Sequence, residues 1–294
     1  MSEIEIVTEN KVPSSIKQIG ITMKYTFLDY FRSRRFFILL LLTFIISAIL
    51  TVLVGYYRPP SFLGDPTTDT LSFRALTFYS SWWGNSVTFV IILGGIFFGG
   101  DAISGEFQNK TGYFGVPNPI RRSSIYIGKW LSAFIAATVI FAIFATITLG
   151  NGLYYFGANV PIQFGQSLLY AWFYLAAVMG FTFFFSSLFK SSSMSILLTA
   201  ILFLFVFSLI ELLVSSLINV EPWFILTYGA GIIGNILNPL GFPAHVSHNP
   251  IGPRARFTIT SYAAYVPEGL AIIGLYFIIT AVLGLIFFER KEFT

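Results

Sequence analysis

The sequence predicts an all-α polytopic membrane protein, on three observations. It holds six apolar runs of roughly 20 residues, each long enough to cross a hydrocarbon core about 30 Å thick. Only 10% of its 294 residues are charged, against about 25% in soluble domains. Stretches such as FFILLLLTFIISAIL are apolar on every side, whereas lipid-facing barrel strands alternate with period two.

Residues 1–35 come first, with Glu3, Glu5 and Glu9 and six basic residues ahead of any apolar run. They do not read as a cleavable leader, so the first span is expected to be a retained anchor. Within them Ile16, Ile19, Met23, Phe27 and Phe31 recur at helical spacing, with Lys17, Lys24 and Arg32 elsewhere on the wheel. That pattern predicts an amphipathic helix lying in the membrane interface, in contact with lipid. The cations read equally as charges that only fix topology.

The six spans are expected at about 36–55, 82–100, 125–149, 168–189, 194–217 and 269–288, forming a transmembrane domain over 36–289 with a short tail at 290–294. With the amino terminus in the cytoplasm, only Arg58, Arg74, Arg254 and Arg256 of the 17 Lys and Arg fall outside. This is the asymmetry of the positive-inside rule, and it predicts a cell-membrane protein with both termini cytoplasmic. The run PWFILTYGAGIIGNIL, Pro222 to Leu237, is a candidate seventh crossing. Its sixteen residues, interrupted by Gly229, Gly231, Gly234 and Asn235, suit a re-entrant or interfacial element better. The outer loop 218–267 that contains it is expected to form a small external cap. No internal repeat is visible.

Much chemistry is excluded. The chain has no Cys, so no disulfide, thiolate metal cluster or thiol nucleophile is available. Its one Gly-Lys pair, Gly128 and Lys129, precedes Trp130, and no phosphate loop, H-E-x-x-H or nucleophile elbow occurs. The formal charge of +4 reports orientation in the bilayer rather than nucleic-acid binding. His245 and His248 lie three residues apart in GFPAHVSHNPIGP, but with no Cys or adjacent carboxylate they make a weak metal site, and none is assigned. Glu211 is the one acid well inside a run, a candidate for a transport pathway or a proton site. An acid reaching the outer interface, or bonded to a nearby Ser, accounts for it equally well.

One cytoplasmic segment, 101–124, is far more polar than a simple connection requires. It begins DAISGEFQNKTGYFGVPNPIRR and leads to Lys129 at the start of the third span. An acid, a Thr five residues on, a Pro eight beyond, then Arg and Gly-Lys fall at Glu106, Thr111, Pro119, Arg122, Gly128 and Lys129. This order resembles the cytoplasmic signature of type-2 ABC transporter permeases, the membrane subunits of the exporter class. The amphipathic helix, six spans and long last outer loop agree over nearly the whole length. Two departures stand out: Lys110 occupies a common Gly position, and GYFGVPN replaces a Leu-rich run.

The resemblance implies that a separate ABC-type ATP-binding subunit, in two copies, carries ATP and Mg, and that this chain is not an enzyme and binds no cofactor. It implies a second permease, the homodimer being the simplest form, and re-entrant helices in the outer loop. Asp101, Glu106, Thr111, Pro119 and Arg122 are then the residues that couple to the ATPase. Glu106 would be exposed to a basic residue of the partner, and Asp101 would anchor the helix start through its free amides. Pro117 and Pro119 would end that helix. Arg121, Arg122 and Lys129 would hold headgroups. The expected function is ATP-driven export of a hydrophobic or amphipathic substrate; a proton- or ion-coupled carrier using Glu211, and a non-transporting scaffold, remain as alternatives.

Overall fold

Six helices long and apolar enough to cross a membrane make up most of a computed structural model that describes residues 14–109, 121–251 and 257–291. Helix α1 (Ser15–Arg32) is capped by Ser14, whose Oγ accepts from the Lys17 amide at 3.4 Å. It stops at Ser33, which in turn caps α2 (Arg34–Tyr57) by accepting from the Phe36 amide at 3.3 Å. A side-chain oxygen at this position satisfies one of the orphan amides of a first turn. The predicted amphipathic helix thus exists, but its stripe does not face one medium: Ile19, Met23 and Phe27 are half-buried, while Ile16 and Phe31 stay exposed.

After the short α3 (Pro60–Leu63), the second span is a single interrupted helix over Leu71–Gln108. It comprises α4 (Leu71–Tyr79), a π-helical turn at Ser80–Gly84, α5 (Val87–Gly99) and α6 (Ser104–Gln108). The helix thus begins before the span expected at 82–100 and extends beyond it. Arg74 lowers the hydropathy there, yet its Nε donates to the Leu63 carbonyl at 2.9 Å and its guanidinium sits over the Phe156 ring. The π turn buries Trp82 and Trp83 completely. Trp83 Nε1 donates to Ser167 Oγ at 3.0 Å, and that hydroxyl donates to the Ile233 carbonyl at 2.6 Å.

The remaining spans are α7 (Arg122–Phe156), α8 (Ile162–Leu188), the fifth span over Ser192–Ile218 and α13 (Val266–Arg290). At 1.5 Å per residue the 35 residues of α7 extend about 52 Å, well beyond a hydrocarbon core. The fifth span is α9 (Ser192–Ile201) and α10 (Phe207–Leu213), each followed by a π-helical turn, at Leu202–Val206 and Val214–Ile218. Spans two and four form the centre, with α8 packed between α5 and α13. The glycines of ILGGIFFGG are buried inside the chain: a Cβ at Gly95 would stand 2.5 Å from Val178.

The candidate seventh crossing is two short helices, α11 (Leu226–Ala230) and α12 (Ile232–Asn235), which pack on α13, α8 and the π turn after α4. It is followed by an element that the sequence did not announce, an antiparallel hairpin of β1 (Val246–Ile251) and β2 (Phe257–Tyr262) in which Val246 faces Tyr262. These features define a hairpin end. The opposite, basic end carries α1, α6 and the first turn of α7.

Candidate functional site

At the basic end, residues 101–109 fold into an elbow pinned to four helices. The amides of Ile103 and Ser104, at the start of α6, both donate to Ser186 Oγ of α8 at 3.0 Å, and Ser104 Oγ lies 3.2 Å from the same hydroxyl. Ser186 and Ser104 are wholly buried, so this cap comes from another helix and excludes water. The elbow's far end is held by Gln108 Oε1, which accepts from the Ser192 amide at 2.7 Å.

Its charges are paired within the chain. Asp101 forms an ion pair with Arg35 at the start of α2. Lys129 Nζ of α7 meets Glu106 Oε1 at 2.6 Å and also donates to the Ala102 carbonyl at 2.9 Å. The Lys129 and Glu106 side chains are 14% and 24% exposed. A pair between the surface and buried limits is worth roughly 1–3 kcal/mol.

Two further cations close helix ends. Arg122 Nη1 donates to the carbonyls of Glu289 and Lys291 at 3.1 and 2.8 Å, covering the end of α13. Lys291 Nζ donates to the carbonyls of Ser187 and Phe189 at 2.9 and 2.7 Å, covering the end of α8, and lies 4.3 Å from the centre of the Phe107 ring. Terminal carbonyls lack partners in their own helix and favour cations. Burial, with nearby Lys190, pushes the Lys291 ammonium down to about 8.

Helix α1 is part of the same assembly. Ser132 Oγ donates to the Met23 carbonyl at 2.8 Å, Gln18 Oε1 accepts from the Arg121 amide at 3.1 Å, and Tyr30 Oη donates to the Phe98 carbonyl at 2.9 Å. Gly128 permits the approach, since a Cβ there would stand 2.8 Å from Thr22 Cβ and 3.0 Å from the Ile19 carbonyl. Burial, reinforced by the charge of Asp101, raises the Tyr30 phenol far above its ordinary value, so it remains a neutral donor.

These positions correct several expectations. Asp101 does not cap α6: its carboxylate is engaged by Arg35, and Ser186 serves the amides. Glu106 is not an open acid but the partner of Lys129. Lys129 and Arg122, expected to hold headgroups, donate to backbone carbonyls of the chain. The Arg121 backbone is bound by Gln18. Thr111, Pro117 and Pro119 lie outside the described residues. Arg35, Ser186, Gln18 and Lys291 were not anticipated. Gln18 gave one hint, a polar residue among the apolar positions of α1.

Glu211 is remote from the elbow. Its Oε2 accepts from Thr227 Oγ1 at 3.2 Å, and it lines a cavity of about 370 Å³ with Ser208, Ser215 and Thr260. A larger cavity of about 640 Å³ is lined by Asn85, Thr88, Asn235 and Tyr174. The Tyr174 hydroxyl is buried there without a hydrogen-bond partner among the described residues. The two histidines do not converge: His248 Nδ1 meets Thr260 Oγ1 across the hairpin at 3.2 Å. His245 instead lies 3.4 Å from a carboxylate oxygen of Glu221, an acid too distant in sequence to have been paired with it.

A bundle of six apolar helices, with a polar elbow built into one end and polar cavities towards the other, defines a multi-pass membrane protein. Residues 23–293 match the family described as ABC-2 family transporter protein. The chain belongs to that family and is the membrane permease of an ABC transporter, a kind of subunit that generally works with separate ATP-binding subunits. No curated protein matches the chain.

Proposed function

We propose that this chain is the membrane half of an ATP-driven exporter and that its elbow receives the stroke of the ATP-binding subunit. The observation that carries this reading is the attachment of the elbow. Residues 101–109 are bonded to α2 through Arg35, to α7 through Lys129, to α8 through Ser186 and to the fifth span through Ser192. A push on such a segment moves whole helices as one body instead of bending a loop. In this reading the basic end is cytoplasmic, two ATP-binding subunits carry ATP and Mg, and a second copy of the permease completes the pathway. Asp101, Glu106 and Arg122 stiffen the handle, and residues beyond Asn109, including Thr111 and Pro119, present the surface that the ATPase grips.

The cargo that fits best is amphipathic. The chain offers a polar cavity beside Asn85 and Asn235 and, elsewhere, an apolar groove of about 470 Å³ lined by Trp130, Phe134, Trp172 and Phe277. The test is a photo-cross-linker at the exposed Asn109 in intact cells. Capture of a protein bearing a phosphate loop is expected. Efficient labelling that captures only lipid or unrelated proteins would overturn the coupling role.

A further inference from the structure

Three half-buried side chains from separate parts of the chain meet at the hairpin end. Glu221 follows the fifth span, His245 precedes β1 and Glu268 lies in the first turn of α13, with one donor atom of each within 4.8 Å of the others. His245 Nε2 is 3.4 Å from Glu221 Oε2, longer than an ordinary hydrogen bond of about 2.7–3.2 Å. Two donors held about 2.1 Å from one tetrahedral ion stand roughly 3.4 Å apart, and zinc takes bonds of that length to imidazole and carboxylate.

The donors are oriented for such an ion. His245 Nδ1 lies 2.9 Å from the Ala263 carbonyl. A carbonyl only accepts, so Nδ1 carries a proton; in the neutral ring Nε2 then keeps its lone pair on the side of Glu221, the arrangement usual for a metal-binding imidazole. The imidazole is fixed further by stacking on the Tyr265 ring at 4.6 Å and 10°. Tyr228 Oη donates to Glu221 Oε1 at 2.6 Å, and the Tyr265 amide donates to Glu268 Oε2 at 3.1 Å. Each acid thus has one oxygen anchored and one left for an ion.

The charge balance points the same way. A lone pair and two carboxyl groups, themselves within hydrogen-bonding reach of each other, converge on one point with no Lys or Arg in the trio. Like charges at that spacing repel unless a proton or a cation intervenes. Two carboxyl groups and one imidazole nitrogen are a donor set that suits a divalent ion, and the nitrogen donor favours a transition ion over magnesium or calcium.

We infer that Glu221, His245 and Glu268 form a binding site for one divalent transition ion, zinc being the closest match. The ion fastens the loop after the fifth span and the base of the hairpin to the start of α13. This inference is independent of the transport reading. Three protein donors leave a fourth position for water.

The test uses full-length protein in nanodiscs, stripped with a chelator and titrated with zinc by calorimetry. One zinc per chain is expected, with a rise in melting temperature. His245→Ala and the isosteric Glu268→Gln should each weaken binding by at least about 100-fold, while His248→Ala should leave it unchanged. Helical circular dichroism identifies variants that fold, and Glu268→Gln preserves shape should His245→Ala fail to do so. No stoichiometric zinc on folded wild-type protein, or binding unaltered by Glu268→Gln, would overturn the site.

Discussion

The two ends of the bundle hold their charged groups differently. At the basic end Asp101, Glu106, Arg122 and Lys129 each find a partner within the chain, and the buried amides of Ile103 and Ser104 share one serine. Towards the hairpin end, Glu211 and Tyr174 border cavities, the fifth span is broken by π-helical turns, and the Tyr174 hydroxyl has no hydrogen-bond partner among the described residues. Fully satisfied polar networks rigidify, whereas π turns and unpaired groups mark places that rearrange. In the function proposed above, transmission of force belongs to the first end and rearrangement around cargo to the second.

That contrast can be broken by substitution. The largest effect is expected at Ser186. Ser186→Val leaves two buried amides and the Ser104 hydroxyl without their acceptor, which costs roughly 2–4 kcal/mol when unpaired buried donors are summed. A fall of several degrees in the melting temperature of the purified protein is the outcome to look for. An unchanged melt would mean that water reaches the elbow and that it is not rigid.

Glu211→Gln should do much less. Glutamine can still accept from Thr227, so the stability change is expected below about 1 kcal/mol, with ATP-linked transport retained in vesicles. Loss of transport by tenfold or more, with folding intact, would shift the essential chemistry to the hairpin end and favour the carrier alternative.

The spans were legible because lipid imposes about 20 apolar residues on any crossing helix. The start of the second span was missed because Arg74 is neutralised by a backbone carbonyl and a ring that no local window contains. The hairpin was missed because Pro250 and the glycine that follows interrupt the alternation on which a strand reading depends. At the elbow, the family resemblance singled out Asp101, Glu106, Arg122 and Lys129. Which group each would bind was not readable, since Arg35, Ser186 and Glu289 come from remote parts of the chain. The same distance hid Glu221 and Glu268 from His245.

The central claim is that the Glu106–Lys129 strut makes the elbow and α7 move together. A charge-swap cycle tests it most directly, with substrate transport per ATP hydrolysed measured in proteoliposomes that contain the cognate ATPase. Glu106→Lys and Lys129→Glu are each expected to lower that ratio about tenfold, and the double exchange to restore most of it. If the double exchange is as uncoupled as Glu106→Lys alone, Glu106 acts on something outside this chain, and the account of a self-braced elbow is contradicted.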